Sequence, residues 1–212
     1  MFDLKKAAQV QLRLSARLDL RPLRGSISLV GGVDCGYDLV RQRIRAAAVV
    51  LSYPELQTIA TAQSETELRL PYIPGYLNFR EGPAVIRALR SLSMLPDVTL
   101  IDGNGIAHPR RMGLASYVGV TLGICTIGCA KNPFYAFQEP GPEKGAATPY
   151  YDDHQQRVGK CLRTRRGVKP LFVSPGNRID TRGAIRIVVN CSRTRIPEPL
   201  RRAHRLASQN PD

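Results

Sequence analysis

Two aspartates stand at matching places in this chain. Asp34 falls near the end of the apolar run LVGGVDCGYD and Asp102 near the end of VTLIDGNG, each with a glycine within two residues. Either one alone reads as a turn former. As the ends of neighbouring strands, however, they would set two carboxylates side by side, where open α/β sheets hold ligands. Carboxylates held that close repel, and one keeps its proton unless a cation offsets the charge. Mg2+ does this with one or two carboxylates, completing its shell with water and phosphate oxygens. Glu81 lies just ahead of an expected helix and adds a third oxygen donor. In a basic chain this set points to metal-assisted phosphodiester cleavage.

The chain is strongly basic. Its 212 residues carry 31 Lys and Arg against 17 acidic residues, a net charge of +14. That excess favours a polyanionic partner, nucleic acid first. Five cysteines, with no CxxC pair, leave one over under any disulfide scheme and point to a reducing compartment. Cys125 and Cys129 sit in the apolar run GICTIGCA and read as small buried hydrophobes. No apolar stretch approaches the roughly 18 residues of a membrane span. The expectation is a cytoplasmic, monomeric protein with no membrane partner, folded as one domain over residues 1–212.

The elements that must position the carboxylates follow from periodicity. Residues 4–20 have helical spacing at Leu4, Ala8, Leu12 and Leu18. SISLVGGVDCGYD, IRAAAVVLSYP and LQTIATAQSETEL read as a three-strand meander. A helix is expected from Pro83 onward, with Val85, Ile86, Leu89 and Leu92 on its apolar face. DVTLIDGN and ICTIGCA read as buried strands on either side of a helix in MGLASYVGVTLG. FQEPGPEKGAATPYYDDHQQ reads as loop, KPLFVSPG as a late strand, and IDTRGAIRIVVNCS as a closing helix capped by Asp180, with Ile185, Val188 and Val189 inward. The order is that of an α/β protein, a ribonuclease H-like mixed sheet flanked by helices.

The segments VGGVDCGY, PYIPGYLNFREGP, LIDGNGIAHPRRMGLASYVGV, TIGCAK, LRTRRGVKPLFVSPGNRID and RIPEPLRRAH occur in this order over about residues 9–205. Together they resemble the signature blocks of the endonuclease V family. The resemblance implies a ribonuclease H-like, Mg2+-dependent endonuclease, with Mn2+ able to substitute. Its expected substrate is DNA carrying a deaminated base, chiefly hypoxanthine, with inosine-containing RNA as the alternative. Such an enzyme cuts the second phosphodiester bond 3′ to the lesion and leaves the base in place, which initiates repair.

By the same resemblance Asp34, Glu81 and Asp102 are the metal-binding catalytic carboxylates, and Lys131 is a catalytic cation at the scissile region. Tyr72, Ile73 and Pro74 form a wedge that fills the gap once the base has left the stack, where an apolar plug recovers part of the cost of flipping. Gly75, Leu77, Gly103, Leu114 and Gly128 line the base pocket, and His108 contacts phosphate. Two positions depart from the pattern: Asn177 stands where a catalytic histidine is expected, and Tyr117 where a histidine is common. Asn accepts no proton near neutral pH. A lesion-binding protein with weak turnover is therefore the alternative reading.

Overall fold

A computed structural model describes residues 2–209. Its framework is an eight-stranded sheet in the order β3-β2-β1-β4-β5-β8-β7-β6. The first three strands, β1 (Leu29–Asp38), β2 (Arg43–Ser52) and β3 (Thr58–Glu67), form the expected antiparallel meander. β4 (Val98–Asp102) lies parallel to β1, and β5 (Thr126–Ala130) parallel to β4. β8 (Leu171–Asn177) runs antiparallel to β5, followed by β7 (Arg157–Leu162) and the edge strand β6 (Ala147–Tyr151).

The period-2 alternation of the strands divides the core between two faces. Val33, Ile44, Ala46 and Ala48 pack under α2 (Leu77–Arg90) and α3 (Leu114–Leu122). Val30, Val49 and Leu51 pack under α4 (Thr181–Asn190) and α5 (Glu198–Ala207). α1 (Leu4–Ser15) is capped by Asp3 and buries Ala7 and Gln11, so it ends sooner than expected and turns Leu4 and Leu12 outward. All five cysteines are free, with Cys125 and Cys129 buried on the α4/α5 face.

Three expectations need correction. α2 begins at Leu77, not at Pro83, which lies inside it. The buried positions Asn78, Glu81, Gly82, Val85, Ala88 and Leu89 keep 3–4 spacing straight through the proline, so packing outweighs the one lost backbone hydrogen bond. β6 crosses the segment expected to be loop. Tyr150 is its anchor, fully buried, with a hydroxyl that accepts the backbone N–H groups of Phe134 and Tyr135 at 2.7 Å each. Pro149 is tolerated there because β6 is an edge. Finally, α4 is capped by Asp180 as expected but does not close the fold. It buries Ala184, Ile187 and Val188 while Ile185 and Val189 are only half-buried, and α5 follows it.

Candidate active site

α5 lies directly on β1 because glycine opens the way. A Cβ at Gly32 would come within 2.2 Å of Pro199, and one at Gly36 within 2.5 Å of the Ala207 carbonyl oxygen. Gly32, Asp34 and Gly36 alternate onto one face of β1, so the carboxylate between the two glycines meets the helix. His204 Nδ1 stands 2.7 Å from Asp34 Oδ2, while Asp34 Oδ1 accepts the Cys35 N–H at 2.8 Å.

β4 brings the second carboxylate. Val33 pairs with Ile101 across the parallel β1/β4 ladder, so Asp34 and Asp102 follow at the same level. Lys131, one residue beyond β5, donates to Asp102 Oδ2. Asp34, Asp102, Lys131, Arg201 and His204 all line one cavity of about 160 Å3. Glu81 approaches from α2 on the other face, buried, with its carboxylate accepting the Tyr37 hydroxyl.

The electrostatics reflect this crowding. Burial, then repulsion from Asp102, pushes the Asp34 carboxyl up to about 6 against the opposing pull of Lys131 and His204. Burial likewise raises Glu81 to about 7, with Asp102 and Asp34 adding to the rise and the Tyr37 hydroxyl opposing it. Among the described residues no three Asp, Glu, His or Cys side chains converge closely enough to enclose an ion by themselves. An incomplete, all-oxygen, electrostatically strained donor set fits a hard cation such as Mg2+, which draws its remaining ligands from phosphate and water.

A second cavity lies beside the exposed Tyr72, which is 66% accessible. Gly75, Leu77, Asn104, Leu114 and Phe134 line it with Tyr72. Gly75 adopts φ +79, and its carbonyl is held by three donors: Gln11 Nε2 at 3.0 Å, His108 Nε2 at 2.9 Å and Arg110 Nη2 at 2.9 Å. Ile73 is half-buried and Pro74 exposed beside them. Gly103, at φ +134, lies behind Leu77 and Leu114. Gly128 has a packing role, because a Cβ there would meet the Gly105 nitrogen at 2.2 Å.

His108 does not offer a free nitrogen to phosphate. Its Nδ1 accepts the Arg110 N–H at 3.1 Å, so Nε2 carries the hydrogen and donates to Gly75. Burial holds the ring down at about 4, hence neutral. It braces the loop behind Tyr72.

Asn177 lies away from the carboxylates. It pairs with Thr126 at the start of β5, whereas Asp102 pairs with Cys129, three residues along and about 10 Å distant at the rise of a strand. Its oxygen accepts the Asp19 N–H at 3.1 Å, and its nitrogen donates to the carbonyls of Gly119 and Ile124 at 3.1 and 3.2 Å. Asn177 ties the segment after α1 to the sheet, and the weak-turnover reading that rested on it loses its ground. Tyr117 packs against Phe79 and over Gly82, filling space between α3 and α2. The histidine that does touch the carboxylates is His204. The segment RIPEPLRRAH contained it, and Gly32 and Gly36 flanking Asp34 were the signal that something must pack there.

Known proteins share this architecture. Chains with the same fold but little sequence in common include Argonaute from A. aeolicus, at 12% identity and a TM-score of 0.53. Endonuclease V of Streptomyces avermitilis superposes with a TM-score of 0.92 at 42% identity, over 98% of this chain and 92% of that one. Endonuclease V of Ciona intestinalis, in complex with a 24mer DNA containing an inosine followed by a ribo-adenosine, has a TM-score of 0.82 at 28% identity, covering 96% and 95% of the two chains. Endonuclease V of Roseiflexus sp. (strain RS-1) is 44% identical over 208 residues, 97% of this chain and 92% of its own. The family model described as Endonuclease V matches residues 11–205. With a ribonuclease H-like sheet, paired carboxylates at its strand ends and this match along nearly its whole length, the chain belongs to the Endonuclease V family.

Proposed function

We propose that the protein nicks DNA at deaminated purines, chiefly hypoxanthine, cutting the second phosphodiester bond on the 3′ side and so initiating repair. The observation that carries this reading is the placement of Asp34 and Asp102 at the same level on adjacent parallel strands, in one cavity with Lys131 and His204. The relative from Ciona intestinalis, seen with inosine-containing DNA, supports the substrate class.

Asp34, Asp102 and Glu81 would hold Mg2+, or Mn2+ in its place. When bound, such an ion stabilises charge at the phosphoryl oxygens. Lys131 is 38% exposed at its side chain beside Asp102, within reach of a phosphate oxygen, where a fixed cation stabilises developing negative charge. His204 fixes the rotamer of Asp34 through Oδ2. Tyr72 stands out from the surface on a loop stiffened by Pro71 and Pro74 and pinned at the Gly75 carbonyl, placed to fill the gap left by a flipped base.

The test is nicking of a duplex carrying one inosine, in Mg2+ and in Mn2+, beside an undamaged duplex and a matched RNA. Cutting near the lesion is expected, and Asp34→Ala and Asp102→Ala bind the duplex without cutting it. Absence of cutting by the wild type in both metals overturns the reading.

A further inference from the structure

The cavity beside Tyr72 holds two amide atoms with nothing to bond. Asn78, 1% exposed, and Asn104 both line it. Asn78 Nδ2 and Asn104 Oδ1 are buried without a hydrogen-bond partner. Leaving a buried amide atom unbonded is costly. A donor and an acceptor left over in the same small cavity suit a ligand that carries the complementary pair.

The orientation of Asn78 is set by its neighbours. The Gly75 carbonyl can only accept, so the Gln11 atom 3.0 Å from it is the amide nitrogen. Arg110 Nε, which can only donate, bonds the other Gln11 atom, Oε1. That fixed Gln11 nitrogen also donates to Asn78 Oδ1 at 2.7 Å. The oxygen of Asn78 is thereby engaged, and what remains toward the ligand is the donor Nδ2. Gln11 is fully buried on α1, so an element remote from the carboxylates sets the polarity of the cavity.

We propose that Asn78 and Asn104 read the six-position edge of the flipped base. Asn78 Nδ2 donates to the 6-oxo oxygen, and Asn104 Oδ1 accepts the N1–H. This rests on the nuclease reading above. Adenine presents the opposite pattern, amino hydrogens at position 6 and a bare lone pair at N1, so donor would face donor and acceptor would face acceptor. The pair therefore separates 6-oxo purines from 6-amino purines.

The experiment compares duplexes carrying hypoxanthine or unsubstituted purine, which lacks the 6-oxo group, in binding and single-turnover nicking. Wild type favours hypoxanthine by about ten- to a hundredfold, the discrimination expected of a well-placed donor–acceptor pair. In Asn78→Ala that preference falls to within about threefold, because hypoxanthine drops to the level of purine while purine barely changes. Equal loss on both bases, with the preference intact, gives Asn78 a folding role only and overturns the proposal. Asn104→Ala is the second variant and removes the acceptor without touching Gln11, so it decides the matter should Asn78→Ala prove unstable. A preference unchanged in Asn104→Ala overturns the pair. Wild type that nicks both bases equally overturns the base reading alone, whereas wild type that neither binds nor nicks either duplex overturns the nuclease reading.

Discussion

His204 Nδ1 lies 2.7 Å from Asp34 Oδ2, across 170 residues of sequence. A carboxylate with one oxygen held by its own backbone neighbour and the other by imidazole has little freedom to rotate. Replacing His204 by Ala lowers the single-turnover nicking rate about 10- to 100-fold, the usual effect of removing a partner that orients a ligand. Affinity for the inosine duplex stays within about twofold. His204→Asn, whose amide nitrogen falls near the place of Nδ1, recovers part of the rate. An unchanged rate in His204→Ala dismisses the contact as incidental.

Asn177 gives a contrasting expectation. Asn177→Ala strands the Asp19 N–H and two carbonyls, which costs about 1–3 kcal/mol of stability. Urea denaturation reads this as a lower midpoint with an unchanged slope. Nicking per folded molecule stays at the wild-type level. A selective loss of rate without loss of stability would return Asn177 to the catalytic centre.

His108 makes stability depend on pH. Its folded pKa is depressed to about 4 from 6.5, so between these values the unfolded chain binds more protons and stability falls as pH drops. The ceiling of this loss is about 3 kcal/mol, from 1.36 kcal/mol per unit. Denaturation midpoints at pH 7 and pH 4.5 should therefore differ more for wild type than for His108→Gln. Parallel behaviour of the two proteins rules out a buried neutral imidazole.

Tyr72, exposed at 66%, contributes little to the folded state. Tyr72→Ala leaves the melting temperature within about 1 °C, as expected for a surface side chain. It weakens binding to inosine duplex more than to undamaged duplex, measured by titration at fixed salt. Equal weakening on both removes its role as the plug.

Much of this arrangement is legible in the sequence because it rests on local signals. The meander, β4 and β5 are apolar runs broken by turn residues, and Asp34 and Asp102 fall at strand ends that the topology makes adjacent. What escapes depends on partners far along the chain. Pro83 signals a helix start, but α2 owes its extent to the burial of Asn78 and Glu81 against other elements. β6 hides in a loop-like composition because its anchor, Tyr150, is bonded by backbone groups of a different segment. Asn177 carries the chemistry of a site residue yet spends it on the chain after α1. His204 belongs to an amphipathic helix whose purpose becomes visible only where Gly32 and Gly36 make room for it.

That fit between α5 and β1 has a consequence for synthesis. The carboxylates are laid down by residue 102, and the sheet can be paired by residue 177, but the side chain that steadies Asp34 and the helix that roofs it come after residue 197. A nascent chain halted short of that point carries the metal-binding acids beneath an uncovered apolar strand, with Asp34 free to turn. The nuclease is thus assembled in an order that withholds its cutting geometry until residue 207 has left the ribosome.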